Sequence, residues 1–135
     1  MHTQEQVLST LRVEDTGVPI YVQLREQFLR AMGAGVLKPG DQMPTMRQVA
    51  VAFRIDLNTV RRAYDELERL GALSLVRGRG SFVAEPPAPL EGRARDEAAD
   101  NLARQTLAQA AALGVEPGLL IERIAALAAA KEEVP

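Results

Sequence analysis

Asn58, Thr59, Arg61 and Arg62 stand almost side by side, and Arg77-Gly78-Arg79-Gly80 follows shortly after. These are residue types that read a nucleic-acid duplex. A guanidinium meets guanine O6 and N7 with two hydrogen bonds, and a carboxamide does the same for adenine. Thr59 offers a hydroxyl suited to a phosphate, and Leu57 an alkyl group suited to a thymine methyl. Gly78 and Gly80 permit a sharp reversal that brings backbone close to a sugar–phosphate wall. Arg79 between them can enter a narrow minor groove, and Arg77 would add a phosphate contact. Arg47 can reach a phosphate or a base edge, or form a surface salt bridge, and its position alone leaves these open.

Other chemistry lacks its residues. The single histidine is His2, and there is no cysteine. A transition-metal site would have to be built from carboxylates alone, which suits such metals poorly. No hydroxyl has a histidine beside it for a catalytic triad. Gly78-x-Gly80 follows a strand-like stretch but opens no helix, so it is not a dinucleotide-binding turn. Asp65, Glu66 and Glu68 read as a solvated helix face that pairs with nearby arginines. The chain is expected to be neither an enzyme nor a cofactor carrier.

The elements that must position these side chains lie between residues 44 and 82. Thr45 and Gln48 have the spacing of a capping box and open one helix, with Val49, Ala50 and Phe53 on its buried face. Arg54-Ile55-Asp56 makes the turn, with Ile55 plugging the core. Asp56 is a good N-cap for the next helix, residues 57–70, whose Val60, Tyr64, Leu67 and Leu70 share a face. Gly71 closes it. Residues 72–77 and 81–84 are strand-like and meet across the Gly78-Arg79-Gly80 turn. This is the layout of a winged helix-turn-helix, with Asn58 to Arg62 at the start of its recognition helix. On an isolated helix Arg61 and Arg62 would read as ordinary solvated residues. The turn before them and the wing after them favour the binding reading.

Upstream, Ile20, Leu24, Phe28 and Ala31 recur at helical spacing from Pro19 onward, and Gly33 and Gly35 stop the run. Lys38-Pro39-Gly40-Asp41 is a turn, and Gln42-Met43 a short strand. Leu11 and Val13 alternate with polar residues, which predicts a short strand near the N-terminus. Downstream, residues 85–89 form a stiff proline-rich linker. Two alanine-rich helices follow. Ala99, Leu102, Ala103, Thr106, Ala110 and Leu113 stripe the first, with Leu107 beside them. Leu120, Ile121, Ile124, Leu127 and Ala128 stripe the second. Such a pair cannot bury both stripes alone, so it must pack on the first domain or on a second chain.

Charge follows the same division. The 135 residues carry a net −2, but residues 19–84 hold ten Lys/Arg against six Asp/Glu, net +4. Residues 85–135 hold five basic residues against nine acidic, net −4. A positive half suits phosphate, and a negative half stays off the duplex. No apolar run approaches the roughly 18 residues that span a bilayer, and residues 1–15 lack the layout of a signal peptide. Together with the absence of cysteine, this predicts a cytoplasmic protein with no membrane partner.

Several spaced motifs carry a family likeness: Pro19-Ile20-Tyr21-x-Gln23-Leu24; Leu37-Lys38-Pro39-Gly40-Asp41-x-Met43-Pro44-Thr45-x-Arg47-x-Val49-Ala50; Asn58-Thr59-Val60-Arg61-Arg62-Ala63-Tyr64-x-Glu66-Leu67-Glu68; and Gly78-Arg79-Gly80-Ser81-Phe82-Val83. Over residues 17–84 the chain resembles the GntR family of bacterial transcription regulators. The resemblance implies a winged helix-turn-helix that binds palindromic operators as a dimer. The family's usual DNA-contacting positions fall on Arg47, Asp56, Leu57, Arg61 and Gly78. Many members have Ser or Thr followed by Arg where this chain has Asp56-Leu57. The exchange removes one base-reading arginine and places an acid near phosphate, shifting specificity toward Asn58, Arg61 and Arg62. The Asn-Thr pair and the residue after Thr45 resemble the YtrA subfamily. Members usually add an effector-binding domain or a pyridoxal-phosphate enzyme domain. The stretch after the wing is too short for either, but resembles the two-helix dimerising tail of YtrA-like regulators.

The expected fold is therefore mainly α with a small β-hairpin wing: a winged helix-turn-helix over residues 1–84, a linker over 85–94 and a two-helix dimerisation tail over 95–135. The expected partners are a double-stranded DNA operator and a second copy of the chain, with room for a small-molecule effector of unknown identity. The expected function is transcriptional regulation, by repression. The competing expectation is a winged module that binds protein, using apolar surface at Leu75 and Val76.

Overall fold

The computed structural model describes residues 2–87 and 89–133. The chain forms two compact units, the first ending at Glu85 and the second beginning at Pro86. In chain order the first holds α1 (His2–Thr10), α2 (Ile20–Gly33), α3 (Met46–Phe53), α4 (Leu57–Arg69), β1 (Leu73–Val76) and β2 (Gly80–Val83). The second holds α5 (Gly92–Leu113) and α6 (Pro117–Glu133).

The first unit is built around α4, which packs on α2, α3 and β1. Val60, Ala63, Tyr64 and Leu67 line its inner face and are fully buried. They meet Leu24 and Phe28 of α2, Val49 of α3, Leu73 and Val83 of the hairpin, and the intervening Leu37 and Met43 in one core. The Phe28 and Tyr64 rings meet edge to face, 5.6 Å between centroids. Such a pair adds about 0.5–1.5 kcal/mol beyond its buried area.

Local signals end the helices where the sequence places those ends. The Thr45 hydroxyl accepts from the Gln48 N–H, and the Gln48 side chain accepts from the Thr45 N–H, completing the capping box of α3. The Asp56 carboxylate accepts from the Asn58 N–H at 2.8 Å and caps α4. After α4 the chain closes through Gly71 at φ +81, with Ala72 N–H donating to the Leu67 carbonyl and Gly71 N–H to that of Glu68. That is a Schellman closure. Arg54 occupies the equivalent left-handed position after α3, at φ 53 and ψ 47, the one non-glycine residue with positive φ among the described residues.

The N-terminal stretch corrects the sequence expectation. Residues 2–10 are helical, and Val7, Leu8 and Leu11 turn inward at helical spacing. The strand expected at Leu11–Val13 is absent, although its backbone hydrogen-bonds as a strand would. The Gln27 carboxamide accepts from Arg12 N–H at 2.8 Å and donates to Arg12 C=O at 2.6 Å. The Gln23 carboxamide does the same for Glu14, at 2.9 and 2.8 Å, and also donates to the Val18 carbonyl. Two side chains of α2 thus take the place of a neighbouring strand.

In the hairpin Leu73 pairs with Val83 and Val76 with Gly80, antiparallel. Residues 40–43 run along the free edge of β2. Gly40 N–H donates to Val83 C=O, Val83 N–H to Asp41 C=O, and Met43 N–H to Ser81 C=O. The short strand expected at Gln42-Met43 is a single bridge, Gln42 opposite Phe82.

In the second unit α5 starts at Gly92, so the linker gives way to helix before residue 95. Gly114, at φ +76, closes α5 with the same Schellman bonds, from Val115 N–H to Ala110 C=O and from Gly114 N–H to Ala111 C=O. Of the expected stripe on α5, Ala110 is buried and Thr106 half-buried. Leu102, Leu107 and Leu113 stay exposed on α5, and Ile121, Ile124 and Leu127 on α6.

Candidate nucleic-acid interface

Opposite its buried face, α4 presents Asn58, Arg61, Arg62 and Asp65 to solvent, while Leu57 and Thr59 are half-buried. The side chains are not independent. The Arg61 guanidinium donates to the Asn58 carboxamide oxygen one turn back. The Arg62 guanidinium carbon lies 3.9 Å from the centroid of the Tyr21 ring on α2. This cation–π contact holds Arg62 against α2 instead of leaving it beside Arg61 at the free tip of the helix. Asp56 uses its carboxylate to cap the helix.

Two ties fix the pose of α4. The Tyr64 hydroxyl donates to the carbonyl of Pro44, just ahead of α3. Burial pushes this phenol well above its usual pKa, so it stays a donor. On the opposite flank Arg25 of α2 donates to Glu66, which also accepts from Arg69 at 3.1 Å. These bonds, from Arg69 first and then Arg25, hold the Glu66 carboxyl below the ordinary carboxylate range. Of the three α4 acids read as arginine partners, Glu66 alone makes such a pair within the described residues.

Arg47 lies exposed in the first turn of α3, and Arg77 and Arg79 lie exposed at the wing tip. Within the described residues none of the three makes an ion pair or a side-chain hydrogen bond, so the salt bridge considered for Arg47 does not form. Arg79 N–H donates to Val76 C=O at 2.9 Å, closing a four-residue turn with Gly78 at φ +81 in third position. A type II turn requires that conformation, and glycine supplies it without strain. Among the described residues no cluster of His, Cys, Asp or Glu could hold a metal ion, and no helix is long and apolar enough to cross a membrane.

Sequence reading missed three contributors. Tyr21 fits its motif as an apolar residue, and nothing in its spacing places it beneath Arg62. Gln42 reaches the wing-tip backbone, donating to the Arg79 carbonyl at 3.1 Å. Arg54 takes a conformation that no local signal announces.

The family model of the bacterial regulatory proteins, gntR family, matches residues 20–83, from the first residue of α2 to the last of β2. The HTH-type transcriptional regulator YhcF of Bacillus subtilis is 37% identical over 89 residues, covering 66% of this chain and 69% of YhcF. The chain belongs to the GntR family. This GntR protein is a DNA-binding transcriptional regulator and not an enzyme. It is also similar to the transcriptional repressor YtrA of the same organism, 40% identical over 70 residues. That match spans 52% of this chain and about half of YtrA, 54%. The solved structure of YtrA from Sulfolobus acidocaldarius, a GntR-family transcription factor, superposes with a TM-score of 0.55 at 25% identity, over 73% of this chain and 97% of that one. The GntR match thus runs through every element that carries the candidate interface.

Proposed function

We propose that this GntR regulator represses transcription by binding a palindromic operator as a homodimer. The observation that carries the reading is the division among its cations. Arg25 and Arg69 are tied up in ion pairs, whereas Arg47, Arg77 and Arg79 are exposed and make no ion pair among the described residues, and the Asn58–Arg61 pair faces solvent. In this reading Asn58 and Arg61 meet base edges in the major groove. Arg62, steadied by Tyr21, meets phosphate, as do Thr59 and Arg77. Leu57 lies toward a thymine methyl. Gly78 lets the wing backbone come close, Arg79 enters the minor groove, and Arg47 reaches the backbone from α3.

The tail supports the homodimer. Leu102, Leu113 and Ile121 remain 64%, 79% and 63% exposed. Apolar stripes left open in this way are characteristic of association surfaces. The likeness to YtrA, a repressor by name, favours repression. A regulator of this kind acts where the chromosome is, in the cytoplasm. The competing protein-binding reading draws on the exposed Leu75 and Val76 of β1.

A mobility-shift assay with total genomic fragments separates the two. The full chain is expected to retard fragments at moderate salt, and Arg61→Glu to abolish the shift. An equal shift by Arg61→Glu would remove α4 from the interface. No shift at any salt would favour the protein-binding reading.

A further inference from the structure

We propose that Gln42 is a positioning residue for DNA binding: it fixes the wing tip so that Arg79 is held ready for the groove. The proposal rests on the reading of Arg79 as a DNA contact.

The edge pairing of the wing stops short of its tip. Residues 40–43 bond to β2 at Val83 and Ser81. In an antiparallel ladder the next donor along this edge is Thr45 N–H, but it goes to the Gln48 carboxamide at the start of α3. Beyond Ser81, no backbone hydrogen bond among the described residues therefore reaches the Val76–Arg79 turn from that edge. The Gln42 side chain supplies the missing rung, donating from Nε2 to the Arg79 carbonyl at 3.1 Å. Its path crosses Gly80. A Cβ built there would stand 3.1 Å from the same amide nitrogen, and the backbone has φ +119. The carboxamide thus reaches the tip past a residue that has no side chain.

The consequence concerns binding more than folding. The Gln42–Arg79 bond is exposed, and the hairpin retains its own ladder and the bonds of Met43 and Val83 without it. What the bond removes is freedom of the Arg79 backbone relative to the edge segment of residues 40–43. A tip already fixed loses less entropy when Arg79 engages a groove.

The test uses the full chain, the duplex it enriches from a random pool, and five variants. Gln42→Ala and Gln42→Met, which removes the donor but keeps the length, are each expected to weaken binding about three- to tenfold, the cost of ordering one more side chain on binding. In an Arg79→Ala background Gln42→Ala is expected to cost little more, because the side chain it positions is gone. A general loss of fold would instead add in full, and that additivity would overturn the proposal. Unchanged binding by Gln42→Ala beside a loss by Arg79→Ala would overturn the role of Gln42 alone. Unchanged binding by Arg79→Ala would overturn it together with the reading of the wing, while loss by Arg61→Glu would still place α4 on DNA.

Discussion

Asn58 and Arg61 hydrogen-bond to each other one turn apart, so neither acts alone on a base pair. Asn58 spends its carboxamide oxygen on Arg61 and keeps its N–H donors. Arg61 is thereby oriented before any duplex arrives. Arg61→Ala is expected to cost about 1–3 kcal/mol of operator affinity and to relax preference at one base pair, measured by titrating single-base variants of the bound duplex. A uniform loss across all variants would assign Arg61 to phosphate. Arg62 differs. Its guanidinium rests on the Tyr21 ring of α2, whereas that of Arg61 bonds to Asn58, so the two neighbouring arginines have different surroundings. Asp56 caps α4 with its carboxylate, as its place before the helix predicts. The residue types were legible from the sequence, but their pairings were not. Tyr21 and Arg62 are distant along the chain, and only the packing of α2 on α4 brings them together.

At the scale of elements, the helix ends account for what was and was not readable. Thr45, Asp56, Gly71 and Gly114 act through bonds to residues two to five positions away, and a spacing rule detects such bonds. The first helix escaped because its inward residues are few and the alternating Leu11 and Val13 suggested a strand. That backbone does pair, but with carboxamides of Gln23 and Gln27, which no periodicity reports. Arg54 lies at the turn between α3 and α4 in a conformation that costs a side-chain-bearing residue about 1–2 kcal/mol. Arg54→Gly is expected to raise stability by about 0.5–1 kcal/mol, read from denaturant unfolding, because glycine takes that conformation without strain. Lower stability in the variant would mean that the arginine side chain contributes more than its backbone costs. The Arg25–Glu66–Arg69 cluster ties α4 to α2 with a definite pH sign. The Glu66 pKa is lowered on folding, so the contribution is present above the ordinary carboxylate range and fades as pH falls through the lowered value.

At the scale of the molecule, charge is segregated. Residues 19–84 carry net +4 and residues 85–135 net −4. The negative unit is also the one with exposed leucine and isoleucine on α5 and α6. If that unit joins two chains, a charge on its apolar stripe separates them. The double variant Ile121→Asp/Ile124→Asp is expected to halve the mass in solution, read by light scattering, while the first unit keeps its thermal transition. Operator affinity is expected to fall at least about a hundredfold, because two linked half-sites become two independent ones. An unaltered mass would move the dimer contact elsewhere.

The most direct test of the account is selection of bound duplexes from a random pool, with the mass of the complex measured alongside. The account predicts an enriched palindrome bound by two chains, its half-sites about one helical turn apart, roughly 34 Å between centres. A folded protein that enriches no sequence, or a single chain seated on one asymmetric site, would contradict it.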